Sequence, residues 1–174
     1  YTVDYTDALP EVEGVTYSVG AILYEFPPTN GSLNATTEIY AGLGFDCILN
    51  PTVTLYYDID DADGFYGNAG VSHSLDISEY GLMEDMVNSV ELAASLGYGS
   101  SNFNQNYWSD SVDALNDFVL SATIPVELCE YATFKASCNY VTLMDNSLNV
   151  NESGTKKTQK SDYVYLGLGL AVAF

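Results

Sequence analysis

A period-two alternation of apolar residues with small or polar ones constrains the fold of this chain more than any other sequence feature. It is clearest in the last segment, where Val164, Leu166, Leu168, Leu170 and Val172 alternate with Tyr, Gly and Ala residues. Successive side chains of a β-strand point to opposite faces, so such a segment predicts a strand with one apolar face. An amphipathic helix would instead repeat its apolar residues every three to four positions.

The alternation recurs along the whole 174-residue chain and predicts eight strands, with the opening residues Tyr1–Thr6 as the end of a ninth. The alternating segments lie at residues 15–24, 38–46, 53–60, 71–77, 90–98, 117–126, 134–140 and 163–174. We therefore predict an all-β fold, an antiparallel up-and-down transmembrane β-barrel that occupies residues 1–174 as a single domain. One segment, Glu79–Val90, fits a 3.6-residue period instead and is the only helix candidate, which we interpret as one short turn that caps the rim.

The predicted connections differ in length in a way that is typical of transmembrane barrels. Long polar stretches lie at residues 27–35, 99–114 and 145–161. Tight links lie at residues 47–50 and 127–130, and the short link at 60–64 departs from the trend. Long loops are therefore expected mostly on one rim and short turns mostly on the other, as in barrels with short periplasmic turns and longer external loops.

Three features favour a lipid-facing barrel over a soluble sandwich or soluble barrel. The alternating segments approach the ~9–11 residues that cross a bilayer when tilted, whereas globular strands usually have ~5–6 residues. The face opposite the apolar one consists of Gly, Ser, Thr and Tyr with a few acids, which suits a confined polar interior. Tyrosines also gather near segment ends, as an aromatic girdle requires. They are Tyr5, Tyr17, Tyr24, Tyr57, Tyr98, Tyr140, Tyr163 and Tyr165.

The charge balance excludes several partners. The chain has 24 Asp and Glu against 4 Lys and Arg, for a formal net charge of −20, and no basic residue precedes Lys135. A protein without a cationic surface cannot neutralise phosphates, so nucleic acid is excluded as a partner, and so is binding to an anionic membrane surface. Cys47, Cys129 and Cys138 are too few and too scattered for a disulfide framework or a metal site, and we predict them to be unpaired.

Four stretches resemble a known family of barrels. The run Thr37–Asp46 (TEIYAGLGFD), the run Leu49–Asp60 (LNPTVTLYYDID), Gly70–Leu75 (GVSHSL) and Ala94–Gly99 (ASLGYG) resemble the TorF-type porin family. In addition, a terminal amphipathic strand that closes on Phe174 resembles the strand that serves bacterial outer-membrane proteins as their assembly signal.

This resemblance implies a location, partners and a larger barrel. Members of the family carry additional N-terminal strands, and Tyr1–Thr6 resembles one of their internal strands. The resemblance implies a complete barrel of about twelve strands. Since single-chain bacterial barrels have even strand numbers, either Tyr1–Thr6 lies outside the sheet, which leaves eight strands, or upstream strands are missing. The implied location is the outer membrane of a Gram-negative-type bacterium, with the lipid bilayer and the outer-membrane assembly machinery as partners. Assembly into a homo-oligomer stays open.

The residues that share the polar parity are the candidates to line a pore. They are Glu38, Tyr40, Asp46, Asp58, Asp76, Glu91, Asp117 and Lys135, together with Asp4 and Asp60. Rings of Asp and Glu set a preference for cations. The set therefore predicts an acid-lined, cation-preferring interior in a large barrel, whereas an eight-stranded barrel would be filled by its own side chains.

Other candidate sites have weaker support. Asp58, Asp60, Asp61 and Asp63 suggest a calcium loop, but the EF-hand register fails, and an exposed acidic hairpin is the alternative. His73 shares the apolar parity, and no nucleophile pairs with it, so we predict neither an enzyme nor a cofactor.

Two loops carry further features. Phe103, Tyr107 and Trp108 lie among Asn and Gln residues, a composition that suits sugar stacking, a loop folded into the lumen, or a girdle. The basic residues Lys156, Lys157 and Lys160 and the sequons at Asn30, Asn34 and Asn151 are interpreted as polar loop residues.

We therefore predict a porin-like outer-membrane channel for passive diffusion of small solutes or cations. Two alternatives stay open. One is a structural or adhesive surface barrel with a filled interior. The other is a soluble acidic β-barrel or sandwich that binds an apolar ligand, in which the apolar parity would point inward.

Overall fold

A single sheet of nine antiparallel strands makes up most of the molecule. The computed structural model describes residues 1–25, 35–81, 86–148 and 162–172. The strands are β1 (Thr2–Ala8), β2 (Val15–Tyr24), β3 (Thr36–Phe45), β4 (Thr52–Asp58), β5 (Gly64–Asp76), β6 (Ser89–Gly99), β7 (Ala114–Cys129), β8 (Ala132–Leu143) and β9 (Asp162–Val172). Each strand pairs with the next one in the chain, so the predicted all-β, antiparallel up-and-down fold is confirmed.

The sheet is open within the described residues. Strand β1 pairs with β2 and β9 pairs with β8, and these two strands form the edges. In a nine-stranded up-and-down sheet, the first and last strands run in the same direction. A direct antiparallel closure between β1 and β9 is therefore impossible.

The burial of the two faces of the sheet is the reverse of that in a soluble protein, because apolar side chains are exposed and polar ones are buried. The apolar face is exposed, with Leu168 on β9 at 77% of its full accessible surface. The opposite face, here called the polar face, holds buried Glu38 and Asp58. No described element packs as a second layer on the apolar face. A soluble sandwich requires such a layer, since each apolar face must be covered.

The connections divide between two rims. The α1 rim, named for helix α1 (Ser101–Trp108), is where β2, β4, β6 and β8 end, and its described connecting residues are 25, 35, 59–63, 100–113 and 144–148. At the opposite rim the described connecting residues are 9–14, 46–51, 77–81, 86–88 and 130–131. The longest connections gather at the α1 rim as predicted, with 59–63 and 77–88 as the exceptions.

The one α-helix in the described residues is α1 (Ser101–Trp108), which the periodicity did not predict. The described part of Glu79–Val90 contains a short 3₁₀ turn, Ser78–Tyr80, that overlaps its start, and no helix extends to Val90, because β6 begins at Ser89. Val90 fits both a helical and an alternating pattern, and pairing with β5 selects the strand. Residues 82–85 of that segment lie outside the described residues.

Several sequence candidates also lie outside the described residues. They are Phe174, Asn30, Asn34, Asn151, Lys156, Lys157 and Lys160. The three cysteines, by contrast, are described, and all of them are free and exposed, which confirms that they are unpaired.

Candidate functional site

The strand register places most of the candidate residues on the polar face. Glu38 lies opposite Asp58 and Tyr40 opposite Tyr56, and the even-numbered residues of β3 to β5 and the odd-numbered residues of β6 share this side. The candidates divide along the strands. Near the α1 rim or in mid-strand lie Glu38, Tyr40, Asp58 and Asp117. Toward the opposite rim lie Asp76, Glu91 and Lys135, with Asp46 in the β3–β4 connection. That these residues line a pore stays a prediction.

Carboxylates near the α1 rim are hydrogen-bonded by hydroxyl groups. The Tyr24 hydroxyl donates to Glu38 Oε2 at 3.2 Å. The Thr36 hydroxyl donates to both Asp58 carboxylate oxygens at 2.8 Å. The Tyr107 hydroxyl of α1 donates to Asp58 Oδ2 at 3.0 Å. Buried carboxylates need such donors, so this cluster is satisfied without a basic residue.

Two tyrosines reach across a whole strand to a carboxylate. Tyr40 on β3 passes over Gly20 of β2 and donates to Asp4 Oδ2 on β1 at 2.5 Å. Tyr66 on β5 passes over Gly97 of β6 and donates to Asp117 Oδ1 on β7 at 2.9 Å.

Only glycine leaves room beneath these two bridges. A Cβ at Gly20 would lie 2.5 Å from Tyr40 Cζ, and one at Gly97 would lie 2.8 Å from Tyr66 Cζ. The small residues on the polar face therefore make space for tyrosines from the neighbouring strands.

Helix α1 is held against the polar face by a buried asparagine. Asn104 has no accessible surface, and its amide donates to the carbonyl oxygens of Gly99 and Val112 at 3.1 and 2.7 Å. Asn116 donates to Asn104 Oδ1 at 2.7 Å. The Ser100 hydroxyl caps the helix N-terminus by accepting from the Phe103 backbone at 3.5 Å. The helix is thereby tied to both strands that it connects.

Five aromatic rings form a continuous series from the sheet to the helix. Ring centroids lie 5.4 Å apart for Tyr40 and Tyr56, and 6.1 Å apart for Tyr56 and Tyr66. The Tyr66 ring stacks on Phe103 at 5.2 Å, and Phe103 lies 4.5 Å from Tyr107. The first three rings belong to β3, β4 and β5, and the last two belong to α1.

A cavity of about 510 Å³ lies on the polar face beside this series. Its lining is mainly aromatic, with one carboxylate and one amide. The lining residues are Ile22, Tyr24, Glu38, Tyr56, Tyr66, Asn68 and Phe103. A volume of this size falls within the ~300–1,000 Å³ that small-molecule sites occupy.

The environment of Tyr107 shifts its titration. Burial, followed by the hydrogen bond to Asp58 and repulsion from that carboxylate, raises the pKa of the Tyr107 hydroxyl well above its ordinary value of 10.0. Ionisation would remove the donor and place a second negative charge beside Asp58. Tyr107 therefore stays a neutral donor at physiological pH.

The four calcium candidates are not assembled as ligands. Asp58 faces the polar side and also accepts from the backbone N–H groups of Asp60 and Asp61, both at 3.0 Å. Asp63 instead accepts from the hydroxyl of Tyr57, which has the apolar parity. Within the described residues, no group of three or more His, Cys, Asp or Glu is arranged to hold a metal ion. Asp58 therefore stabilises the β4–β5 turn through these backbone hydrogen bonds.

His73 lies on the apolar side of β5, as its parity predicted, with Nδ1 2.7 Å from the carbonyl oxygen of Ile48. Ser72 and Ser74 point to the other face of the same strand. The arrangement offers no nucleophile–base pair at this position.

The buried Asn116, which donates to Asn104, is a site residue that the sequence pattern does not indicate. A β-bulge between β6 and β7 places residues 116 and 117 together opposite Gly97, because Leu96 pairs with Phe118 and Tyr98 pairs with Leu115. Asn116 and Asp117 thus both bond to groups of the polar face, which simple alternation forbids. The burial of Asn116 and the side of Asp117 depend on this bulge, and a bulge in an otherwise regular strand gives no signal in the sequence itself.

Comparison with known proteins adds no identification. No protein-family model, no curated protein and no solved structure matches this chain. In the described part of the chain, no helix is both long enough and apolar enough to cross a membrane.

Proposed function

We propose that this protein is an outer-membrane β-barrel of a Gram-negative-type bacterium that acts as a porin-like channel for passive diffusion of small solutes. Its path is lined by acids and prefers cations. It supplies no bond-making chemistry, only a polar surface of defined shape and charge. The lipid bilayer and the outer-membrane assembly machinery are its partners.

The inverted burial carries this proposal. Leu166, Leu168 and Leu170 of β9 are among many large apolar side chains exposed on one face, whereas Asp58, Asn104 and Asn116 are buried at the other. Burial of apolar surface contributes roughly 25 cal/mol per Å², so water is a poor solvent for such a face. Lipid is a suitable one, and it leaves the polar face toward an aqueous interior.

The polar face suits the passage of cations. Its charged residues are acids except for Lys135, which is the only Lys or Arg in the described ranges. A low-dielectric wall around a path lined with one sign of charge raises the local concentration of the opposite ions. Anions meet the reverse field and are excluded.

Helix α1 would narrow the channel at one rim. It covers part of the polar face and is fixed by Asn104 and by the bond from Tyr107 to Asp58. Because these anchors are hydrogen bonds at buried or partly buried positions, the helix is a fixed constriction rather than a mobile lid.

The test begins with extraction of the protein from a membrane fraction and with its gel mobility before and after boiling. A membrane barrel requires detergent and shifts its mobility on heating. The purified protein is then reconstituted in a planar bilayer, and the conductance and the reversal potential in a KCl gradient are measured. We expect discrete steps in conductance and a reversal potential whose sign shows that K⁺ permeates in preference to Cl⁻.

Each failure points to a different alternative. A folded, heat-modifiable membrane protein without conductance would favour a structural or adhesive barrel. A protein that remains in solution without detergent would overturn the lipid-facing assignment and favour a soluble acidic barrel with an apolar ligand.

A further inference from the structure

The geometry points to the cavity on the polar face as a binding site for an organic cation with a quaternary or methylated ammonium group. The inference rests on the proposed function only in that it treats this cation as a solute of the channel. The binding itself is a separate property of the cavity and can be measured without a channel.

The cavity has the aromatic lining that such cations require. Rings from three strands and from α1 surround it: Tyr24 of β2, Tyr56 of β4, Tyr66 of β5 and Phe103 of α1. A cation is attracted to a ring face within about 6 Å of its centroid. The centroids of Tyr56 and Tyr66 are 6.1 Å apart, so a cation that contacts one of these rings lies close to the other. Phe103 stacks on Tyr66 at 5.2 Å and extends the aromatic lining.

The aromatic wall is not flat. The planes of Tyr56 and Tyr66 meet at 47°, so these two rings do not form the single flat platform that suits a planar ligand or a sugar ring. A rounded group such as trimethylammonium, whose positive charge is spread over its methyl groups, can contact rings of different inclination.

One carboxylate supplies the charge of opposite sign. Glu38 lines the cavity and is only 8% exposed, so its attraction for a cation is less screened than that of a surface acid. Asp58 lies opposite Glu38 in the strand pairing and adds to the negative field. Lys135 is the only Lys or Arg in the described ranges. It belongs to β8 and does not line the cavity.

The charge in the cavity, rather than its hydrogen-bonding groups, selects a cation. The Tyr24 and Tyr66 hydroxyls donate to Glu38 and Asp117, while the Tyr56 hydroxyl and the Asn68 amide also line the cavity as polar groups. The negative charge of Glu38 repels an anion and distinguishes a cation from a neutral ligand of the same shape.

Calorimetry in detergent compares two probes that differ in charge alone. Choline carries a trimethylammonium group, and 3,3-dimethylbutan-1-ol has the same shape with carbon in place of nitrogen. We expect choline to bind about tenfold more tightly or better than the neutral alcohol, because cation–π and charge interactions each contribute on the order of that factor. Equal affinities would overturn the inference.

Matched variants locate the site. Tyr56→Leu, Phe103→Leu and Glu38→Gln each remove one part of the cavity and are expected to weaken choline binding by about fivefold to tenfold. Tyr165→Leu and Glu91→Gln make the same changes on the polar face away from the cavity, and they are expected to leave binding unchanged. A retained heat-induced mobility shift verifies that each variant is folded. Equal losses in the control variants would contradict the assigned site.

The channel experiment separates this inference from the proposed function. In a bilayer with KCl, choline is expected to reduce the K⁺ current at concentrations near its calorimetric Kd, and Tyr56→Leu is expected to relieve that block. Conductance without a choline effect, together with no calorimetric binding, would overturn this inference and leave the porin proposal intact. Choline binding without any conductance would overturn the porin proposal and leave the site intact.

Discussion

At the scale of single residues, polar side chains do the packing that apolar ones do in most soluble domains. Asn104 and Asn116 are nearly or fully buried and satisfy each other and the backbone around them. The composition of the 99–114 stretch predicted an amide-rich loop, and Phe103 and Tyr107 were identified as candidates to fold into a lumen. Which amide carries the anchor was not predictable, because the partners come from a bulge that pairing between β6 and β7 creates.

Substitution Asn104→Ala tests this anchor. It leaves the Asn116 amide and the carbonyl groups of Gly99 and Val112 without their partner. Each buried polar group left unpaired costs about 1–3 kcal/mol, so local opening of α1 should become at least tenfold more frequent. Chymotrypsin cleavage at the aromatic residues of α1 measures this opening. Asn106→Ala, the same change at an exposed position of the same helix, is the control, and equal cleavage rates would contradict the assigned anchor.

The raised pKa of Tyr107 gives a prediction with a definite sign. A tyrosine whose pKa is raised on folding contributes stability that is fully present below its unfolded pKa, near 10, and is lost as the pH rises toward the folded value. The stability of α1 should therefore exceed that of Tyr107→Phe by a constant margin up to about pH 9, and the margin should shrink above pH 10. Fluorescence of the single tryptophan, Trp108, reports the opening of the helix. A margin that grows with pH would show that the hydroxyl does not donate to Asp58.

At the scale of elements, the strands were predictable and the helix was not. The strong alternation in β9 and β3 fixes both the type of element and the face of each side chain, since the period is two. The α1 sequence SNFNQNYW has weak helical preference, because asparagine favours turns and caps. Its helical form is supported by the local Ser100 cap and by tertiary contacts, in which the Ser100 hydroxyl also accepts from the Phe65 backbone and Asn104 accepts from Asn116. Val90 shows the opposite case, because this residue fits a local 3.6-residue pattern but lies in β6, paired with Leu75.

The exposed apolar face of the strands gives a prediction that depends on the solvent. Leu168→Lys, in the middle of β9, should lower the free energy of unfolding in lipid vesicles by about 2–4 kcal/mol, the cost of a Lys at the bilayer midplane. Leu128→Lys, one residue before the end of β7, should cost about 0–1 kcal/mol because it lies at the rim.

Urea titrations of the reconstituted Leu168→Lys and Leu128→Lys variants measure the two free energies of unfolding. A position exposed to water would tolerate lysine at both sites, since isolated surface substitutions usually change stability by less than about 0.5 kcal/mol. Equal and small effects at Leu168 and Leu128 would therefore contradict a lipid-facing sheet.

At the scale of the whole molecule, closure of the sheet is the feature that the sequence could not predict. Alternation is a local property and specifies each strand without specifying what pairs with the two edges. The described sheet has free edges at β1 and β9, and the odd number of strands prevents their antiparallel pairing. Net charge, in contrast, is a global property that the composition gives directly.

The negative charge of the polar face should make the channel select cations in a salt-dependent way. The K⁺/Cl⁻ permeability ratio should exceed one in 0.1 M KCl and fall toward one in 1 M KCl, because the Debye length shortens from about 10 Å to about 3 Å. Asp117→Asn should lower the ratio at low salt, since Asp117 lies on the polar face and asparagine still accepts from Tyr66. Asp7→Asn removes the same charge at the apolar parity of β1 and serves as the control. If both variants lowered the ratio equally, the selectivity would arise from the net charge of −20 rather than from the polar face.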